Sequence, residues 1–170
     1  MSSTADALRR KLREREGRTA RQELLRRLAS LGVDGDALSW LSPEESDALV
    51  EGWISALGLP PGDQLTFRPR DTGLRTWTYR AGTPAPSRVP APGPAKARVP
   101  RLLVLFGDYR TMGIASADPQ WVADCAEPLA VADGNGFVAV TESLDYVLQV
   151  DLEETGDQSA DIEVTLWGDA

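Results

Sequence analysis

The chain contains no histidine. This excludes a Ser-His-Asp or Cys-His catalytic set and removes the most versatile ligand of transition-metal sites. Cysteine occurs once, at Cys125, so no intramolecular disulfide can form. Such usage fits a reducing, cytoplasmic compartment. With no imidazole to activate it, Cys125 is expected as a small buried residue of a short helix rather than a nucleophile. No stretch approaches the roughly 18 consecutive apolar residues of a membrane span, so no membrane partner is expected. Arg9, Arg10, Lys11, Arg13 and Arg15 break up the N-terminus as no secretory signal does. There is no G-x-G-x-x-G, Walker loop or G-x-S-x-G. No cofactor, metal or catalytic residue is assigned, and the chain is not expected to be an enzyme.

Three stretches resemble chemistry and have simpler accounts. "DGNG" at Asp133–Gly136 begins like a calcium loop, but Phe137 stands at the next ligand position and no closing glutamate follows. A tight turn feeding a strand explains it. The carboxylates of residues 153–161 are expected to form a solvated hairpin loop. Asp108, Tyr109 and Arg110 combine acid–base side chains, and a turn between strands accounts for them.

What the sequence does contain is charge in blocks. Residues 1–27 hold nine basic and four acidic side chains, residues 28–67 none and seven, residues 68–110 nine and two, and residues 111–170 none and thirteen. Segregation on this scale steers partners or binds the chain's own opposite face. A chain of 170 residues with 42% hydrophobic content can bury a core without disulfides or metals. The abundance of Ala, Gly, Pro, Arg and Asp suggests a high-GC bacterial source.

The fold class expected is α+β, with an N-terminal helical segment, then an antiparallel β-meander sheet with one packed helix. Residues 1–60 form the helical region. Leu8 and Leu12 are spaced for one helix face, Gly17 interrupts, and Thr19 with Gln22 reads as a capping box for a second helix that Gly32 stops. Ser42, Pro43 and Glu45 mark the start of the next helix, which buries Trp53 and Ile54 and ends at Gly58 and Pro60. Residues 64–80 read as a hairpin: Leu65 and Phe67 on one strand, a turn at Asp71–Gly73, and Arg75, Trp77 and Tyr79 on the return. Residues 81–101 carry six of the twelve prolines and form a Pro/Ala-rich linker or long loop. Residues 102–170 form the antiparallel α+β domain: Leu102–Phe106 as a central strand, four further strands, and a short helix from Asp118 that Pro128 ends.

The final two strands carry the functional reading. Leu144, Tyr146, Leu148, Val150 and Leu152 alternate with Asp145, Val147, Gln149, Asp151 and Glu153. Ile162, Val164 and Leu166 alternate with Asp161, Glu163, Thr165 and Trp167. Successive residues face opposite sides, so the apolar sets share a core and the acids share the other face. In the register whose residue numbers sum to 314, Asp151 opposes Glu163, Glu153 opposes Asp161 and Val147 opposes Trp167. The neighbouring even registers also set acid against acid, at a cost of a few tenths to about 1 kcal/mol per pair. No Lys or Arg follows Arg110 to relieve it.

An aromatic among carboxylates has the composition of a contact surface. Val147, Asp151, Glu153, Asp161, Glu163 and Trp167 are therefore the candidate partner-binding residues, with Trp167 as anchor. Either a basic protein partner or the chain's own N-terminal helix or Trp77/Tyr79 strand answers the same charge. The function expected is a non-catalytic interaction module binding a basic surface, such as an immunity- or antitoxin-like inhibitor or an adaptor in a defence or secretion complex. The alternative is a nucleic-acid-associated protein that uses Arg9, Arg10, Lys11 and Arg13.

Overall fold

The computed structural model describes residues 4–71, 73–83, 101–155 and 159–168. The expected linker lies largely outside them. In chain order the elements are α1 (Thr4–Ser30), a 3-10 turn (Gly35–Ala37), β1 (Ser39–Trp40), α2 (Pro43–Ala56), β2 (Arg75–Arg80), β3 (Leu102–Phe106), α3 (Tyr109–Met112), β4 (Ala115–Ala117), α4 (Pro119–Asp124), α5 (Ala126–Asp133), β5 (Gly136–Val140), β6 (Tyr146–Thr155) and β7 (Ser159–Gly168). The fold is α+β. One seven-stranded sheet runs in the order β1-β4-β3-β5-β6-β7-β2, every pair antiparallel. The five expected strands are its centre. It also recruits β1 and β2, from residues 39–40 and 75–80, as its two edges.

Local signals explain the helix ends. Gly32 takes φ +77°, and the N–H groups of Gly32 and Val33 donate to the carbonyls of Ala29 and Leu28. This is the Schellman arrangement, and it satisfies carbonyls that the last turn of α1 leaves open. Gly58 closes α2 in the same way, with bonds from Gly58 and Leu59 to Ser55 and Ile54. At the start of α2, Ser42 Oγ accepts from Glu45 N–H and the Glu45 carboxylate accepts from Ser42 N–H, a complete capping box.

Gly17 does not interrupt the first helix. α1 runs unbroken for 27 residues, and Thr19 donates its hydroxyl to Arg15 O instead of capping a second helix. The glycine is buried, and a Cβ on it would lie 2.5 Å from the carbonyl oxygen of Thr111. It is there for close approach of α1 to α3. Gly52, in the middle of α2, has nothing within 4 Å of its Cβ position. The same substitution should therefore have opposite signs at the two sites. Gly52→Ala gains about 1 kcal/mol from helix propensity. Gly17→Ala loses about 1–2 kcal/mol net, because overpacking against backbone outweighs that gain. Urea denaturation of the two variants checks this.

Pro128 does not end the helix after Asp118. Asp118 caps α4 by accepting from the N–H groups of Gln120 and Trp121, Cys125 ends that helix, and Pro128 sits in the first turn of α5, where a missing N–H costs nothing. Of the 64–80 hairpin, the structure contains the return strand β2. Residues 64–70 have no regular secondary structure, and Leu65 and Phe67 pack as a cover rather than pair as a strand. Leu144 does not share a face with Tyr146. It lies in the β5–β6 turn at φ +57° and packs on the other side of the sheet.

Helices cover both faces of the sheet, where the sequence suggested one helix on one face. On the first face, Val104, Phe106, Ala139, Leu148, Val150, Val164 and Leu166 pack against Leu24 and Leu28 of α1, Val122 of α4 and Leu129 of α5. On the second, Leu105, Val140, Val147 and Trp167 pack against Trp53 and Ile54 of α2 and against Leu65. None of the described helices is long and apolar enough to cross a membrane.

Candidate functional site

The pairing of β6 with β7 sets Asp151 opposite Glu163, Glu153 opposite Asp161 and Val147 opposite Trp167. This is the register in which residue numbers sum to 314. Following the pairs across the sheet shows how the second face is graded. Leu103, Val140, Val147 and Trp167 form one row. Leu105, Val138, Gln149, Thr165 and Thr76 form the next. Gly136, Asp151, Glu163 and Thr78 follow, and then Glu153, Asp161 and Arg80. Along one face the rows therefore pass from apolar, through mixed, to acidic.

The cover matches the grading. Trp167 is 3% and Val147 2% exposed, beneath Trp53, Ile54 and Leu65. Both are core residues, which corrects the expectation that Trp167 is an exposed anchor. Period-two alternation places a side chain on a face without saying which segment lies over it. Toward the other end, Glu153 is exposed and Asp151, Asp161 and Glu163 are half-buried. The open half of the face is the acidic half.

The basic N-terminal helix does not cover it. α1 packs on the first face, and several of its charges are engaged elsewhere. Arg13 makes a bidentate pair with Asp47, both contacts 2.7 Å, and donates to Arg110 O. Arg10 contacts Glu14 and Glu44, and Arg9 lies 3.5 Å from Asp6. Lys11 is exposed on the same helix. Of the Trp77/Tyr79 strand, both aromatic rings face the first core, and Arg80 sits in the acidic row, 3.5 Å from Asp161. Among the described residues, this β2 arginine is the cation that the strand pairing places on the acidic half.

A hollow of about 190 Å³ opens beside Asp151, with walls that include Phe67, Leu105, Tyr109, Asn135 and Val138. Glycine is required at its edge. Gly136 has φ +109°, and a Cβ there would lie 2.1 Å from Val150 O. Tyr109 Oη is buried and has no hydrogen-bond partner among the described residues. Phe67 meets Trp53 edge-on, ring centroids 6.5 Å apart. The sequence drew attention to two of these wall residues, Tyr109 beside Asp108 and Arg110 and Asn135 in "DGNG", and assigned neither to a site. Alternation of Leu65 and Phe67 was the available signal, and it does not distinguish a strand from an irregular cover.

Electrostatics add a pH dependence. Burial pushes the Asp151 carboxyl above its ordinary range, Glu153 nearby pushes the same way, and the hydrogen bond from Gln149 Nε2 opposes both. Burial also raises Asp133, against bonds from the N–H groups of Gly107 and Asn135. A carboxyl raised on folding takes up protons more readily in the native state, so its ionisation costs stability as pH rises from the unfolded value, near 4, through the raised one. Asp151→Asn should therefore be more stable than the parent at pH 7, and the advantage should shrink as pH falls toward 4. Urea midpoints at several pH values check the sign.

The described residues contain no cluster of metal-ligating side chains. Cys125 is half-buried, with its thiol pushed up by burial and by Asp124, opposite to the shift that makes a cysteine nucleophilic. No family model, curated protein or solved structure matches this chain.

Proposed function

We propose that the chain is a non-catalytic interaction module that binds a basic partner surface through the open acidic half of its second sheet face. The observation that supports this most is the cross-strand placement of acid against acid, Asp151 with Glu163 and Glu153 with Asp161, on the part of the face that α2 leaves open. Like charges held opposite one another destabilise the free fold. A basic partner relieves that repulsion and is steered to the surface by it. The anchoring role moves from Trp167 to the hollow beside Asp151. There Phe67, Leu105 and Val138 suit the aliphatic stem of a lysine or arginine whose charged head meets the carboxylate. A surface of this kind suits an inhibitor that covers a basic nuclease site in an immunity or antitoxin pair, or an adaptor in a bacterial defence or secretion complex, working in the cytoplasm.

The second reading, nucleic-acid association through Arg9, Arg10, Lys11 and Arg13, rests on the exposure of residues 6–12 of α1. It is weakened because Arg10 and Arg13 already contact Glu44 and Asp47. The test is capture of the partner from the source cell, identification by mass spectrometry, and titration of that purified partner. Asp151→Lys with Glu163→Lys should weaken binding at least 100-fold while circular dichroism stays unchanged. Equal affinity for parent and variant excludes the acidic face.

A further inference from the structure

α1, α3 and the start of α2 line a cavity of about 170 Å³ that shares no wall residue with the hollow beside Asp151. Its walls carry Arg13, Arg18, Arg21 and Glu14, with Gly17, Gly113 and Pro43 between them. Two of these charges are answered by the fold. Arg13 is held by Asp47, and Glu14 accepts from Arg10 at 3.1 Å. Arg18 and Arg21 are different. Neither forms an ion pair with a carboxylate among the described residues.

Arg21 is half-buried. Its Nε donates to Met112 O, and its guanidinium stacks 4.9 Å from the centroid of the Trp40 ring. These contacts orient the group without neutralising it, and burial pushes its pKa down. A cation withdrawn from water is costly unless an anion accompanies it. Gly113, at φ +84°, keeps the cavity open at this point. A Cβ there would come within 3.0 Å of Arg21 Nη2 and 3.2 Å of Ser46 Oγ. Arg18 lies one turn before Arg21 on α1, the spacing that brings two side chains to one helix face.

We propose that this cavity is a binding site for a phosphate-class oxyanion, held by Arg18 and Arg21. Guanidinium groups present forked N–H donors matched to tetrahedral oxyanions. The volume is below the roughly 300–1,000 Å³ of pockets that enclose drug-sized ligands, so the site fits a phosphate or the end of a phosphate monoester rather than a whole nucleotide. The site is independent of the acidic face and does not rely on its reading.

The experiment titrates the full chain with inorganic phosphate and with glycerol phosphate, each against chloride at matched ionic strength, following thermal stability and the Arg21 Nε–H resonance. A saturable rise in melting temperature with a shift of that resonance is expected, reduced at least tenfold in apparent affinity by Arg18→Gln, an exposed position whose change leaves the fold intact. Saturation by inorganic phosphate alone assigns the site to the free ion. Saturation by both assigns it to phosphate monoesters as well. A non-saturating rise that persists in Arg18→Gln is the general salting effect of phosphate and overturns the proposal. So does an unmoved Arg21 resonance.

Discussion

Gly136→Val removes a large part of the stability of the fold, a loss of roughly 2–6 kcal/mol against the 5–15 typical of a domain. Two independent causes act at this one position. The backbone at φ +109° lies where L side chains are strained, and a Cβ would lie 2.1 Å from Val150 O and 2.8 Å from Asp151 Cα. Those atoms belong to β6 in the middle of the sheet, so relief requires β5 and β6 to separate. Gly134, two residues earlier and also at positive φ, has nothing within 4 Å of its Cβ position. Gly134→Ala should show the strain without the collision and lose less. Urea denaturation followed by circular dichroism checks both, and equal losses at the two sites would show that close approach of β6 is not what selects glycine at position 136.

Trp53→Ala costs about 3–5 kcal/mol, the range for deleting a buried tryptophan. Trp53 is 3% exposed, and its indole N–H donates to Glu142 O at 2.9 Å. It joins α2 to the apolar rows of the second sheet face, where it shares a cluster with Val147 and Trp167 and meets Phe67 edge-on. Removing it also uncovers Trp167. The variant should therefore show increased quenching of tryptophan fluorescence by iodide in native conditions, despite having one tryptophan fewer. Unchanged quenching, with a stability loss below 1 kcal/mol, would mean that α2 does not seal that end of the face.

The places where sequence and structure agree share a cause. Caps and strand pairing depend on residues close together or on strict alternation. Ser42, Pro43 and Glu45 define the start of α2 because the capping hydrogen bonds span three residues. Gly32 and Gly58 mark helix ends because the left-handed conformation is local. The β6–β7 register follows from alternation and a connection short enough to leave few choices. Pro128 and Leu144 mislead locally, but the larger disagreements concern what approaches from far along the chain. Gly17 looks like a helix break, yet its reason is the carbonyl of Thr111, almost a hundred residues away. Trp167 looks like an exposed anchor until α2 is placed over it. Leu65 and Phe67 alternate as a strand would, and instead fill a cover that no local rule describes.

This distinction also bears on the candidate site. The acidic pairs were legible because they belong to one hairpin. The hollow beside Asp151 was not, because its walls come from residues 67, 105, 109, 135 and 138, brought together by tertiary packing. The charge blocks were legible as blocks, but their answer to one another was not. The basic first helix pairs with Glu44 and Asp47 at the start of α2, and the acidic sheet face retains its charge beside Arg80.

The central claim, that the acidic half of the sheet is the docking surface, is tested most directly by titrating the captured partner into the isotopically labelled chain and following its amide resonances. Shifts should concentrate at Gly136, at Gln149–Glu153 and at Asp161–Thr165. Shifts confined to residues 6–13 of α1, with the sheet face unchanged, would contradict it and favour the basic arm.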